Sequence, residues 1–250
     1  FAKHSITHVI QLAALKDVQE SLVNKDEYFD VNVGGLKTIL SVMRANACRK
    51  IIFSSSAAVY GDKAASPINE SSMTAPSNWY GETKLLGEQL LSVESFNAPP
   101  INAVSLRYFN VAGAYKSKNG WISEEHDPET HLIPNLLRST AASPLKIFGT
   151  DWPTKDGTCI RDYVHVTDLI DAHISALEKL VEGKYEIVNI GSGSGYSVKE
   201  VISAANSVVG HGLPVINGER RPGDPAILIA DISKAASLPK YFQAAQYSNW

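Results

Sequence analysis

The 250-residue sequence has only two cysteines, Cys48 and Cys159, far apart and without a Cys-x-x-Cys spacing. That excludes a disulfide framework and a cysteine-rich metal module, and it fits a reducing, cytoplasmic setting. No apolar run approaches the roughly 20 residues needed to span a bilayer, and no signal-peptide pattern opens the chain, so a membrane is not an expected partner. A basic block is missing too: 23 Lys and Arg stand against 26 Asp and Glu, a net charge of −3. Nucleic acid is therefore not an expected partner either. Also absent is a G-x-G-x-x-G loop after a strand near the N-terminus. With the start at Phe1 in place of Met, this absence reads as a fragment.

What is present is ample core material, 44% hydrophobic residues, arranged in alternating strand and helix patterns. Ile6 to Ala14 reads as a buried strand ending in small residues. Asp26 to Asn46 follows as a helix with Phe29, Val33, Leu36, Leu40 and Met43 at helical spacing. A strand from Lys50 to Phe53, a polar loop from Asp62 to Pro76, a helix from Trp79 to Ser95 and a strand from Ile101 to Phe109 come next. Pro76 and Ser77 are start signals for the Trp79 helix, and Leu85, Leu86, Leu90, Leu91 and Val93 are its expected buried stripe.

The order β-α-β-α-β predicts an α/β fold, a Rossmann-type doubly wound parallel sheet with right-handed crossovers, lacking its glycine-loop part. Residues 1–109 are expected to form a dinucleotide-binding domain, with later segments such as 158–191 returning to it. Residues 110–250 are expected to form mainly a smaller α/β substrate domain. Further helices are predicted from Thr167 to Val181 and from Val198 to Val209. The second has a Ser197/Glu200 capping box at its start and Gly210 at its end.

Chemistry concentrates in Ser77-Asn78-Trp79-Tyr80-Gly81-Glu82-Thr83-Lys84. Positions four apart share a helix face, so Tyr80 and Lys84 can act on one ligand. A phenol titrates near about pH 10, and a tyrosine base needs a cation beside it to work at neutral pH. Lys84 is placed to be that cation. The strand at Lys50 to Phe53 runs into Ser54-Ser55-Ser56, and ligands of open α/β sheets bind at the carboxyl ends of strands. Ser56 is thus a candidate to hydrogen-bond the oxygen that Tyr80 deprotonates.

Two segments imitate sites. Asn189 to Gly195 follows a strand, Tyr185 to Ile190, and precedes a helix like a dinucleotide fingerprint. Its third glycine is out of register, however, with Tyr196 standing there, and the capping box explains the helix start. Glu124 to His131 is rich in Glu and His, but its spacings match no standard zinc or calcium pattern and Pro128 interrupts it. It reads as a solvated loop, and no metal is expected. Arg161 and the pair Arg220 and Arg221 each offer a fork able to clamp a phosphate, and Asp224 an acceptor for ribose hydroxyls.

Ser56, Tyr80 and Lys84 in this order resemble the catalytic set of the extended short-chain dehydrogenase/reductase superfamily. Within it, nearly the whole chain resembles the UDP-glucose 4-epimerase family of galactose metabolism. The matching stretches are Leu12-Ala13-Ala14-Leu15-Lys16, Phe53 to Ser56 with Val59-Tyr60-Gly61, Tyr80 to Lys84, Arg107 to Asn110, His131 to Pro134, Ile147 to Gly149, Asp156 to Thr158, Arg161 to His165, and Arg220 to Asp224.

The resemblance implies NAD as cofactor, with Leu12, Ala13, Ala14, Lys16, Ser56, Tyr80, Lys84, Tyr108 and Phe109 around it. It implies a UDP-sugar as substrate, held by Asn110, His131, Leu132, Lys146, Phe148, Arg161, Arg221 and Asp224, with Ser56 and Tyr80 at the sugar. Asn32 matches a structural asparagine. A homodimer is implied as well, built by pairing the helices Asp26 to Asn46 and Trp79 to Ser95 across a two-fold axis.

Gln11 stands where the family usually has His, and Ala58 where Thr often supports the sugar. The family carries residues before and after the matched region, so the 250 residues alone are expected to be a truncated, inactive piece. Two other functions compete. A nucleotide-sugar 4,6-dehydratase would need an acid and a base just after Ser56, where this chain has Ala57 and Ala58. A non-catalytic nucleotide-binding protein would need no tyrosine base.

Overall fold

The computed structural model describes residues 1, 3–180, 184–221 and 223–238. Four parallel strands, His8–Gln11, Lys50–Ser56, Asn102–Tyr108 and Tyr185–Ile190, form the main sheet in that order. The strands carry apolar residues on both faces because both faces are covered. Ile51 and Phe53 point to one side, where Leu36, Leu40, Met43, Leu91 and Ile101 meet them. Ile52 points to the other, with Val104, Leu106 and Val188 against Leu169, Ala172 and Ala176 of the helix Val166–Glu178. The predicted α/β class and parallel order are what the molecule has.

Several boundaries differ. The strand expected from Ile6 to Ala14 is only His8–Gln11, and the one expected to stop at Phe53 runs on through the serines to Ser56. Asp26 to Asn46 is not one regular helix. A turn Lys25–Tyr28 leads into a π-helical segment Phe29–Gly34, and a regular helix Gly35–Ala45 follows. The wider winding contains Asn32, whose amide accepts from the Leu15 N–H at 2.8 Å and donates to the Leu15 carbonyl at 3.0 Å and the Thr83 hydroxyl at 2.9 Å. Asn32 thereby ties the loop after the first strand to the helix that carries Tyr80.

That helix, Trp79–Phe96, is capped by Asn78, whose side chain accepts from the Gly81 N–H at 2.9 Å. Its buried face takes in only Leu91 of the expected stripe. Gly81, Thr83, Lys84, Gly87, Glu88, Leu91 and Ser95 are buried, while Val93 is exposed and Leu85, Leu86 and Leu90 are half-buried. The reason is distance: a Cβ on Gly87 would lie 2.5 Å from Cζ of Phe53. The sheet is too close for a bulky residue there.

The helix Val198–Val209 has both hydrogen bonds of the predicted capping box and ends at Gly210 with φ 80°. Val181, the predicted end of the preceding helix, lies outside the described residues.

A second sheet is organised on Ile160–His165, which pairs with Asn110–Ala112 and Ile227–Leu228 in parallel and with Gly195–Ser197 antiparallel. Beside it, Leu145–Phe148 and Val215–Gly218 form a parallel pair. Leu136, Ile147, Cys159, Val198, Ile202 and Leu213 make its core. No helix among the described residues is long and apolar enough to cross a membrane.

Candidate active site

The carboxyl end of Lys50–Ser56 and the first turn of Trp79–Phe96 meet at Ser56 and Tyr80. Ser56 ends the strand in an extended conformation, and its hydroxyl caps the short turn Ala57–Tyr60 by accepting from the Ala58 N–H at 3.2 Å. The Tyr80 N–H is held by the Ser21 hydroxyl at 3.1 Å. Burial pushes the Tyr80 phenol above its ordinary value, and a hydrogen bond with the Ser56 side chain pulls the other way.

Lys84 shares the Tyr80 face as the i,i+4 spacing requires. Its ammonium lies 5.7 Å from the Tyr80 ring centroid and 5.2 Å from that of Phe53. It donates to the Ser54 carbonyl at 2.7 Å, so its hydrogen bond goes to the strand and not to the phenol. Burial pulls its pKa down to about 8.

Tyr108, at the end of the neighbouring strand, joins this cluster. Its hydroxyl meets Nε2 of His173, whose Nδ1 contacts the Leu169 carbonyl at 2.8 Å. Leu12 and Ala13 are exposed at the end of the first strand, and the Gln11 amide donates to the Ala13 carbonyl at 2.7 Å. Phe109 does not reach this cluster, because its ring is buried among Ala57, Val59, Tyr60 and Ile68.

A second group gathers around Phe148. The Arg221 guanidinium lies 4.1 Å from its ring centroid and the Lys146 ammonium 5.5 Å. Asp224 sits 3.5 Å from Arg221 and 3.7 Å from Arg161, so two guanidiniums share one carboxylate. Arg220 does not join them. It stacks on Trp152 at 4.2 Å and pairs with Asp151 at 2.8 Å on the surface. Pro222 lies outside the described residues. Asn110 belongs to the strand paired with Tyr163, and His131 stands at the N-cap position of the helix that begins at Leu132, without a side-chain capping bond. The Lys16 ammonium lies 3.5 Å from Nε2 of His131, joining the loop after the first strand to the start of that helix.

Residues 1–191 match the model of the NAD dependent epimerase/dehydratase family. The chain belongs to that family. Among its relatives, the UDP-glucose 4-epimerase of Lacticaseibacillus casei is 45% identical over 241 residues, which is 95% of this chain and 72% of that protein. The enzyme of the same name from Halalkalibacterium halodurans is 46% identical over 250 residues, 96% of this chain and 73% of that one. The crystal structure of UDP-glucose 4-epimerase from Brucella ovis in complex with NAD superposes with a TM-score of 0.88 at 41% identity. It covers 95% of this chain and 73% of that chain.

In this member of the epimerase/dehydratase family, the glycine run that imitates a dinucleotide fingerprint has another occupant. The Asp162 carboxylate accepts from the N–H groups of Ser192 at 2.6 Å, Gly193 at 3.0 Å and Ala230 at 3.1 Å, and from the Ser192 hydroxyl at 2.7 Å. The loop's donors face an internal anion, which is why its glycines look like a phosphate cradle. A Cβ on Gly191 would lie 2.6 Å from that carboxylate.

Sequence reasoning also missed a support behind the site. Glu88 and Arg107 form a buried ion pair, which the Ser55 hydroxyl joins at Glu88. The Tyr60 ring lies over Arg107 at 4.7 Å, and the Tyr60 hydroxyl donates to Asn189 at 2.6 Å. The sequence signal was Glu88 four residues after Lys84 on one helix face.

Glu124 to His131 is a loop without helix or strand, and its residues are half-buried or exposed. Donor atoms of Glu124, His126, Glu129 and His131 all lie within 4.8 Å of one another. They converge because the loop folds back on itself before the Leu132 helix.

Proposed function

We propose that this protein interconverts UDP-glucose and UDP-galactose, with NAD as its cofactor. The observation that carries the reading is Ser56 at a strand's carboxyl end beside the first turn of the helix that presents Tyr80 and Lys84 on one face. Its context is a chain 45% and 46% identical to two bacterial UDP-glucose 4-epimerases.

The residues fit NAD. Leu12 is an apolar side chain 56% exposed at a strand end, and Oε1 of the adjacent Gln11 is buried without a hydrogen-bond partner. Leu12, Ala13, Ala14, Lys16, Ser56, Tyr80, Lys84 and Tyr108 would hold it, with Phe109 contributing through the backbone. The chemistry NAD would supply there is a reversible hydride acceptor for C4 of the sugar.

Tyr80 takes the proton of the 4-hydroxyl on the outward step and returns it at the end, while Ser56 hydrogen-bonds the same oxygen. The sugar between these steps is a 4-ketone, and its turning over between them inverts C4. Burial alone opposes ionisation of Tyr80, so positive charge must offset it. The Lys84 ammonium, 5.7 Å from the Tyr80 ring centroid, is placed to supply it. Arg161 and Arg221 clamp the diphosphate, while Asn110, His131, Leu132, Lys146, Phe148 and Asp224 hold the rest of the UDP moiety.

Ala57 is buried and Ala58 lies in the same turn, so no proton donor follows Ser56 and water elimination has no acid or base there. We place the protein in the cytoplasm, in galactose metabolism, as a homodimer. Val42, Val93 and Phe96, exposed on the helices Gly35–Ala45 and Trp79–Phe96, supply apolar surface for the pairing.

The test is to incubate the purified full-length protein with UDP-glucose and NAD and to follow the sugar by NMR. UDP-galactose should appear, and Tyr80→Phe should lower kcat by at least about a hundredfold. Accumulation of a 4-keto-6-deoxy sugar would replace this reading with a dehydratase. Sedimentation at several concentrations checks the dimer.

A further inference from the structure

The Glu124 to His131 loop carries four donor groups that the proposed reaction does not need together. His126 Nδ1 lies 2.9 Å from Oε1 of Glu124 and 3.7 Å from Oε1 of Glu129. His131 Nδ1 lies 3.9 Å from the same Glu129 oxygen and in close contact with Oε1 of Glu124. Donor atoms around a tetrahedral ion with bonds of about 2.0–2.1 Å stand about 3.4 Å apart, so the observed separations bracket that edge.

Glu129 is the anchor of the group. Its side chain is 4% exposed, and its Oε1 accepts from the N–H groups of Thr130 and His131, both at 2.9 Å. Its Oε2 is buried without a hydrogen-bond partner, with the Arg138 guanidinium 3.9 Å away. The Nδ1 of His126 is likewise buried and makes no well-formed hydrogen bond. Leaving such atoms unpaired costs about 1–3 kcal/mol each, more for a charged group. A cation among the four donors would satisfy Nδ1 of His126, and Glu129, held by its backbone bonds, would present a fixed carboxylate to it.

We propose that Glu124, His126, Glu129 and His131 bind a divalent transition ion of the zinc class. Two imidazole nitrogens and two carboxylate oxygens suit zinc and its neighbours, whereas calcium and magnesium prefer oxygen donors alone. Two carboxylates also balance the charge of one divalent ion. The role is structural, fixing the loop against the start of the helix Leu132–Leu137. It extends toward the other site through His131. An ion on Nδ1 leaves the hydrogen on Nε2, which then faces the Lys16 ammonium as donor against donor, so loading releases Lys16 from His131.

The experiment strips the full chain with EDTA, titrates zinc chloride by calorimetry and counts retained zinc by mass spectrometry after dialysis. One zinc per chain with a micromolar or tighter Kd is expected, with visible absorption bands when cobalt(II) replaces zinc. His126→Ala and Glu129→Gln should each weaken zinc at least about tenfold. Glu125→Gln, a carboxylate outside the cluster, should leave it unchanged. Circular dichroism confirms that each variant is folded, and Glu124→Gln replaces any that is not. No retained zinc, or equal affinity in the cluster variants, would show a hydrogen-bonded Glu–His group only and overturn the proposal. The readout is metal content, so its failure leaves the epimerase reading untouched.

Discussion

Glu88 and Arg107 face each other across the helix that carries Tyr80 and the third strand of the sheet, joined by two hydrogen bonds of 2.9 and 2.6 Å with both side chains 3% exposed. Such a pair adds little net stability over an apolar replacement, yet breaking one half strands the other charge. Glu88→Gln should therefore cost about 3–5 kcal/mol, read as a lower urea midpoint. The paired change Glu88→Leu with Arg107→Met should recover much of that loss. A single variant as stable as the parent would show that the pair is not buried as a charge pair.

Gly87→Ala tests how closely the Tyr80 helix approaches the sheet. Alanine favours a helix over glycine by about 1 kcal/mol, so an open site would be stabilised. Here the new methyl meets the buried Phe53 ring at 2.5 Å. A net loss of about 1–3 kcal/mol is expected. Phe53 also lies under the Lys84 ammonium, so kcat should fall with stability. A gain in thermal midpoint would refute the packing.

Lys84 sets a pH dependence. Its folded pKa of about 8 lies below the 10.5 of the unfolded chain. Between those values the unfolded chain binds more protons, so this group's contribution to stability rises with pH from about 8 to 10.5. At pH 7 the buried ammonium costs about 3 kcal/mol in the ligand-free protein. The difference in urea midpoint between the parent and Lys84→Met should shrink or reverse as pH rises from 7 to 10. Parallel profiles would contradict it.

Asp162 gives a fourth test. Asp162→Ala removes the acceptor for the N–H groups of Ser192, Gly193 and Ala230, and should cost about 2–4 kcal/mol. Hydrogen exchange at Ser192 and Gly193 should speed up first. If the loop instead binds phosphate more tightly in the variant, its cradle shape is intrinsic and Asp162 merely occupies it.

Local patterns were legible in the sequence. The strand Tyr185–Ile190 and the helix Val198–Val209, with its Ser197/Glu200 box, follow from residues close in the chain. The Tyr80/Lys84 face was legible for the same reason. What escaped was set by tertiary distance. Which side of the Tyr80 helix is buried depends on how near Phe53 comes, so Gly87 stands against that ring and, of the expected leucines, Leu91 alone is fully buried. The partner of the Ser192 loop, Asp162, lies 30 positions away, and no spacing rule joins them. The Glu124–His131 donors are near in sequence, but their convergence depends on a loop path that periodicity does not describe.

The fourth strand of the main sheet comes late. Asn102–Tyr108 pairs with Tyr185–Ile190 and with nothing else on that side, so its edge waits for a partner made much later in synthesis. At about 5–20 residues per second, the ribosome takes roughly 4–15 s to travel from Tyr108 to Tyr185. For that time an apolar strand presents bare N–H and C=O groups to any other nascent chain. The protein's exposure to misassembly is thus a matter of translation speed between these two tyrosines, and slowing that stretch of the message should raise the fraction that aggregates.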